Sequence, residues 1–302
     1  MPTVKCPYCG ASYSVPEGAV YAVCPYCGTV VELSTGKSPP QYYYPPRLGE
    51  RDAFLAAVAR VAQLPSAPSD AVEASTYTGG RLVYVPLYLC RASAGSPGCG
   101  GAETVLEEAV LATTRAPPGV DKGYRFPAVG REPYDPSRAR GVEFRQADVP
   151  PAEPCAALEA RARDAAASKA VLSGCSPVVE AGAELKGVAH YPFWLIRYRH
   201  PAGSREYHAV VDAVDANVVY VEYPVPPAGR ATMLALAAAA LGSSAAVGAV
   251  AAAAAHALLA LPAAVAAGLA AGTPFLRRAA ARTGVYKRRP AKVERTIVVL
   301  ED

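Results

Sequence analysis

Two copies of the pentapeptide CPYCG, at residues 6–10 and 24–28, constrain this chain more than any other feature in it. They set Cys6, Cys9, Cys24 and Cys27 in the pattern C-x2-C-x14-C-x2-C. Each CxxC bends the backbone so that two sulfurs face one point. Two such bends close a tetrahedral thiolate cage with no open ligand position. Pro7 and Pro25 stiffen the bends, and Gly10 and Gly28 stand where the turn needs a positive φ. Disulfide or redox use of the two CxxC pairs is the competing reading, and the matched glycines weigh against it. The expectation is a structural zinc site with these four cysteines as ligands. A unit this small cannot bury enough core alone. Metal binding, about 10–16 kcal/mol in comparable peptides, then supplies its folding energy.

Between the two bends, residues 13–15 and 20–23 flank Pro16-Glu17-Gly18 and predict a hairpin, with a third strand over 29–33. The doubled CPYCG with this hairpin resembles the zinc-ribbon family, whose members often touch nucleic acid or polymerase subunits. The charges argue against nucleic acid here. Residues 1–36 hold one basic side chain, Lys5, against Glu17 and Glu32, and phosphate binding draws on Lys and Arg. Tyr8 and Tyr26 occupy the same place in the two bends, as a protein-binding tip or as a cover for the metal. Ser34-Thr35-Gly36-Lys37-Ser38 ends like a phosphate-binding loop. Val31 stands where that loop needs glycine, and Pro39-Pro40 forbid the helix that must follow.

The remaining chain reads as αβ modules followed by an apolar end. Residues 37–48 form a Pro/Tyr linker, 49–130 a first αβ module, 131–152 a second linker and 153–228 a second αβ module. The modules look repeated: residues 72–91 and 179–197 share Val-Glu-Ala, a Gly, a Pro, a Leu and an Arg with one gap. Helices are expected over about 50–63 and 153–170, and extended runs over 103–114 and 206–212. Ala202-Gly203 and Asp215-Ala216-Asn217 supply turns that make 193–224 a three-strand meander. A helix before a meander carrying Val211-Asp212-Ala213 and Val218-Val219 is similar to a PepSY-type module, although the Thr-Gly turn of that family is replaced by Ala216-Asn217. That resemblance implies a small binding or regulatory domain.

Cys90, Cys99, Cys155 and Cys175 have no CxxC spacing, and buried free thiols are the default expectation. A Cys90–Cys99 disulfide across the Gly-rich turn is the alternative, and a second metal site ranks last. No catalytic residue is assigned. Glu206, His208 and Asp212 share one strand face by alternation, which a solvated surface explains without chemistry.

Residues 231–276 contain no Asp, Glu, Lys or Arg. A bilayer core of about 30 Å takes about 20 helical residues. The run therefore predicts a two-helix transmembrane hairpin over 229–277, with spans at about 231–250 and 258–275 and a turn near His256. Ser244-xxx-Gly248 and Gly268-xxx-Gly272 allow close helix packing, within the chain or in a homodimer. The segment 278–302 is a basic tail with a terminal strand in its β-branched run. Arg277, Arg278, Arg282, Lys287, Arg288, Arg289 and Lys292 follow the second span. They place that end, and hence the N-terminus, in the cytoplasm and suit anionic lipid heads.

The expected fold class is thus multi-domain α+β: a small β zinc ribbon, tandem helix-plus-antiparallel-meander modules and a C-terminal transmembrane hairpin. The layout resembles prokaryotic, archaeal-type membrane proteins of unknown function that join an N-terminal CPxCG ribbon to C-terminal hydrophobic helices. A membrane-anchored, protein-binding adaptor or regulator is the leading expectation. A nucleic-acid-associated regulator using ribbon and tail, and a membrane enzyme using the strand-face trio, are the alternatives.

Overall fold

The computed structural model describes residues 3–138, 141–255 and 260–288. Two short antiparallel pairs open the chain: β1 (Thr3–Lys5) with β2 (Ser12–Ser14), and β3 (Tyr21–Val23) with β4 (Val30–Glu32). Then come β5 (Gln41–Tyr43), α1 (Glu50–Ala62), a single turn α2 (Ala71–Ala74), β6 (Thr76–Gly95) and β7 (Thr104–Leu111). The two-residue strands β8 (Glu132–Pro133) and β9 (Glu143–Phe144) precede α3 (Ala152–Leu172). β10 (Glu180–Arg199), β11 (Glu206–Asp212) and β12 (Val218–Pro224) form the antiparallel meander that the alternation predicts. α4 (Pro227–Ala255), α5 (Ala260–Ala280) and β13 (Thr283–Lys287) complete the described chain.

The helices follow from their apolar spacing. Ala53, Phe54, Ala57, Val58 and Val61 bury one side of α1, with Glu50 and Asp52 in its first turn and Arg60 in its last, as the helix dipole favours. Cys155, Leu158, Ala162, Ala166 and Ala170 bury one side of α3. Its alanines let the helix lie close to the sheet.

A nine-stranded sheet is built around β6 and β10, each 20 residues long and paired antiparallel from end to end. The ladder is broken at two places, beside Thr78 and beside Lys186, and the glycine after each, Gly79 and Gly187, has φ 154°. At Gly187 a Cβ would stand 2.4 Å from the Pro40 carbonyl oxygen, so only glycine lets β5 approach. The outer edges of the two long strands match as well. β6 carries the antiparallel β7 and the short parallel β9; β10 carries the antiparallel β11 and the short parallel β5. Short strand, helix, long strand and hairpin strand thus occur twice around a quasi-two-fold axis.

The two halves interlock. α1 lies on β10, β11 and β12, whereas α3 lies on β6 and β7 with part of β10. Each helix covers strands of the other half, and so does each short parallel strand. The segments expected as linkers therefore contribute strands. The tyrosine run at 42–44 is extended between prolines, and its free backbone groups pair with Val188–His190 on one side and with β8 on the other.

One face of the sheet carries α1 and α3. The opposite face is covered by the segment 112–128, whose Val120, Tyr124 and Phe126 pack on Leu87, Tyr191, Phe193, Val210 and Val219. Asp212 is fully buried there. It accepts hydrogen bonds from the Tyr191 hydroxyl at 2.9 Å, from the Tyr124 hydroxyl, and from the amides of Val214 and Asp215 at the predicted turn.

α4 leaves the sheet at Pro224, and β13 rejoins it beside that residue, with Pro224 paired to Thr283. The first turn of α4 docks on the head, where a Cβ on Gly229 would meet the Ser66 carbonyl at 2.5 Å. Among the described residues α4 is the one helix long and apolar enough to cross a bilayer, over Pro227–Ala253 with mean hydropathy 1.9. Leu234, Leu236, Val247 and Val250 point outward. The second expected span falls on α5, which does not meet that test among the described residues and contains Pro274. The expected turn near His256 and the β-branched run at 293–300 lie outside the described residues. The strand that returns to the head is β13, which precedes that run. Gly268 and Gly272 face Ser244, Ala240 and Ala237 of α4, so this small-residue face is used within the chain.

Candidate metal centre

The two CPYCG bends adopt the same local structure. The amide of Gly10 bonds the Cys6 carbonyl at 3.0 Å and that of Gly28 the Cys24 carbonyl at 2.8 Å. Behind each bend, Cys6 N–H bonds Ala11 and Cys24 N–H bonds Thr29, both at 2.9 Å. Gly10 and Gly28 have φ of 74° and 69°, as the sequence requires. The four Sγ atoms lie within 4.8 Å of one another. Cys6 to Cys27 and Cys9 to Cys24 are each 3.6 Å apart. Four sulfurs at zinc-like bond lengths of about 2.3 Å would be separated by about 3.8 Å, so the set fits one tetrahedral ion. Among the described residues this is the one group of His, Cys, Asp and Glu side chains so arranged.

The electrostatics also suit a cation. Cys6, Cys24 and Cys27 are buried, and Cys9 is exposed. Burial pushes the Cys24 and Cys27 thiols up, the latter against a hydrogen bond from Thr29. At Cys6 burial also works to raise the thiol, but hydrogen bonds from the Cys9 and Tyr8 amides, together with those to the Cys27 and Cys9 side chains, outweigh it and hold it at about 7. Buried thiolates are disfavoured without a compensating charge, and one metal ion supplies that charge to all four.

The bends differ in their surroundings. The second is built into the main core. Tyr21, Val23 and Val30 pack with Tyr88, Phe144, Leu158 and Val188. Gln41 of β5 bonds both backbone groups of Val30, accepting from its N–H at 2.9 Å and donating to its carbonyl at 3.3 Å. Gln146, just past β9, does the same for Val23. The clamping glutamines thus come from the two quasi-equivalent short-strand segments. The Tyr134 hydroxyl donates to the Cys27 carbonyl. A Cβ on Gly28 would stand 2.3 Å from that hydroxyl and 2.5 Å from the Phe144 ring. His190 is fully buried between the Tyr134 and Phe144 rings, at 4.9 and 5.1 Å, and burial lowers it to about 4. The first bend projects outward, with residues 7–10 exposed and Tyr8 57% so, whereas in the second bend only Tyr26, at 62%, is exposed.

None of Gln41, Gln146, Tyr134 or His190 is marked by sequence spacing. Val23 and Gln146 are 123 residues apart, and only the sheet register brings them together. The loop at 34–38 closes as a turn on Glu32, which accepts from Ser34 and Thr35.

The other four cysteines overturn the free-thiol expectation and the Cys90–Cys99 alternative. Cys90 is bonded to Cys155 and Cys99 to Cys175, with Cα separations of 5.3 and 6.0 Å. Both bridges fasten α3 and its C-terminal end to β6 and the loop after it. The reason is register: Cys90 and Cys155 face each other across the helix–sheet interface, which no local spacing reports. The strand-face trio is dispersed. Asp212 is buried under the 112–128 segment, Glu206 engages Thr78 at 2.7 Å and Arg197 at 3.6 Å, and His208 is exposed. No family model, curated protein or solved structure matches this chain.

Proposed function

We propose that the chain is a membrane-anchored zinc-ribbon protein that acts as a protein-binding adaptor or regulator. The observation that carries this reading is the asymmetry of the ribbon. Its second bend is locked into a rigid sheet by two glutamine clamps while the first projects outward, and each bend presents one exposed tyrosine, Tyr26 and Tyr8, on a turn that a metal would stiffen. An exposed aromatic on a rigid support is a favourable protein anchor. Zinc is the ion that four thiolates with no open position suit best. The low charge of the ribbon argues against nucleic acid as its partner.

Anchoring rests on α4 together with the neighbouring ends of the apolar segment. Because Pro224 pairs with Thr283, a chain that leaves the head at α4 returns to the same point, which supports two crossings. The basic residues after α5 then face anionic lipid heads on the cytoplasmic side. The two disulfides favour a second reading of orientation, with the head on an oxidising outer side. A cytoplasmic head requires the exceptional disulfide-rich cytoplasm of a hyperthermophile. Protease protection of an N-terminal epitope in right-side-out vesicles decides between them.

The adaptor reading is tested by crosslinking and recovery from native membranes, comparing the full chain with a Tyr8→Ser/Tyr26→Ser variant. Loss of a specific partner at unchanged metal content is expected; recovery of the same partners by both chains refutes it. Deleting residues 1–36 is unsuitable, because it strips Tyr21, Val23 and Val30 from the core.

A further inference from the structure

On the face of the sheet opposite the helices, a groove of about 530 Å³ opens beside Pro118 of the covering segment. Strand register sets what lines it. Ile196 points into the core under α1, so Leu195 and Arg197 point the other way. Leu195 is paired with Arg81 of β6 and Val210 of β11, Arg197 with Gly79 and His208, and Val210 with Tyr220 of β12. Leu195, Val210 and Tyr220 therefore form an apolar floor, and Arg81, Arg197 and His208 stand exposed at its rim. A Cβ on Gly79 would stand 2.7 Å from an Arg197 guanidinium nitrogen, so the glycine lets that group lie down along the strand.

The charge on this face is unbalanced even with its ion pairs included. Arg81 and Arg145 share Glu143, at 3.0 and 3.1 Å. Glu206 meets Arg197 at 3.6 Å, accepts a hydrogen bond from Thr78 and neighbours Arg199 as well. Four guanidiniums thus face two carboxylates. Beside them, Arg205 and Glu222 pair one to one at 2.9 Å. The Arg81 and Arg197 side chains are 61% and 54% exposed, and ion pairs this exposed are weak. Each guanidinium also keeps N–H donors beyond those its carboxylate takes. An apolar floor under an excess of guanidinium charge suits an anion with an apolar body. A cation is repelled, and a neutral chain gains the floor alone. The groove also lies near one end of the sheet: Arg197 and His208 stand two residues, about 7 Å, from the strand ends Arg199 and Glu206. At that same end β12 passes into α4 and β13 returns.

We propose that this groove binds a long-chain fatty carboxylate, its head between Arg81 and Arg197 and its chain along Leu195, Val210 and Tyr220. Guanidinium forks match a carboxylate with two hydrogen bonds at a time. Entry from the adjoining bilayer rests on the anchored reading of α4; the groove and its charges do not.

The test uses the full, metal-loaded chain in nanodiscs of zwitterionic phosphatidylcholine. A fatty carboxylate with a diazirine in its chain is crosslinked, and the labelled peptides are mapped by mass spectrometry. Label is expected on β10, β11 or Tyr220. Laurate is expected to displace it, whereas methyl laurate and dodecyltrimethylammonium are not. Arg81→Gln and Arg197→Gln are each expected to lower groove labelling about fivefold or more at unchanged metal content. Arg163→Gln, which removes the same charge on α3, is expected to leave it unchanged. Label confined to α4 and α5, labelling that survives both groove substitutions, or competition by methyl laurate equal to that by laurate overturns the proposal. So does stronger competition by dodecyl phosphate than by laurate, which would assign a phosphate instead. The anchor is checked separately, by carbonate extraction of native membranes. A chain released by carbonate refutes the anchor alone, and groove labelling is then read in buffer by the same criteria.

Discussion

The eight cysteines of this chain divide into two sets of four with different chemistry. Cys6, Cys9, Cys24 and Cys27 converge as thiols on one point, with a sequence separation of 21 for the outermost pair. Cys90, Cys99, Cys155 and Cys175 pair as disulfides over separations of 65 and 76 residues. The first set is placed by its own backbone, two identical bends with glycine behind each. The second is placed by the packing of α3 on β6. Thiol chemistry therefore follows from whether the geometry is local or tertiary. The contrast also divides the labour of stability: a metal held by the first set would organise the ribbon and its seat on the sheet, and the bridges hold the helix layer.

Removing the metal is the largest perturbation. Apparent zinc affinities of about 10 kcal/mol or more rival the whole stability of a domain. Because the second bend is part of the main core, chelation or Cys24→Ser is expected to abolish metal retention and to melt the head, read by elemental analysis and thermal unfolding. A head that unfolds at an unchanged temperature after complete metal loss would make the ribbon an appended module and end the comparison. Reduction of the bridges ranks next. A Cys90→Ala/Cys155→Ala chain should lose about 2–4 kcal/mol, measured by denaturant unfolding, while keeping its full metal complement. Loss of metal in that variant would show that the two sets are coupled.

The glutamine clamps sharpen the contrast further. Gln41→Ala and Gln146→Ala each leave buried backbone groups of the β3–β4 pair unpaired, at a cost of about 1–3 kcal/mol. Both are expected to weaken metal retention in competition with a chelator, which Cys155→Ala is not. A pH effect comes last. His190 is held at about 4 in the folded chain by burial, against an unfolded value near 6.5. Its stabilising contribution is full above about pH 6.5 and is lost as pH falls towards 4, because the unfolded chain takes up the proton first. His190→Phe should flatten the stability profile across that window, and an unchanged profile refutes the assignment.

What could be read from the chain before its structure was whatever repeats over short distances. The doubled CPYCG, the apolar spacing of α1 and α3, the alternation of the β10–β12 meander and the uncharged run at 231–276 are such features. Each is a pattern whose geometry closes within a few turns of backbone. The exchange of helices between the halves, the disulfide partners, the glutamine clamps and the groove on the helix-free face carry no such pattern. They depend on the end-to-end register of two 20-residue strands, which brings together residues as far apart as Val23 and Gln146. Local backbone geometry is set by neighbouring residue types, whereas contacts across a sheet are set by every pairing between them. That is why the metal site was legible in this sequence and the structure that seats it was decided only by the fold.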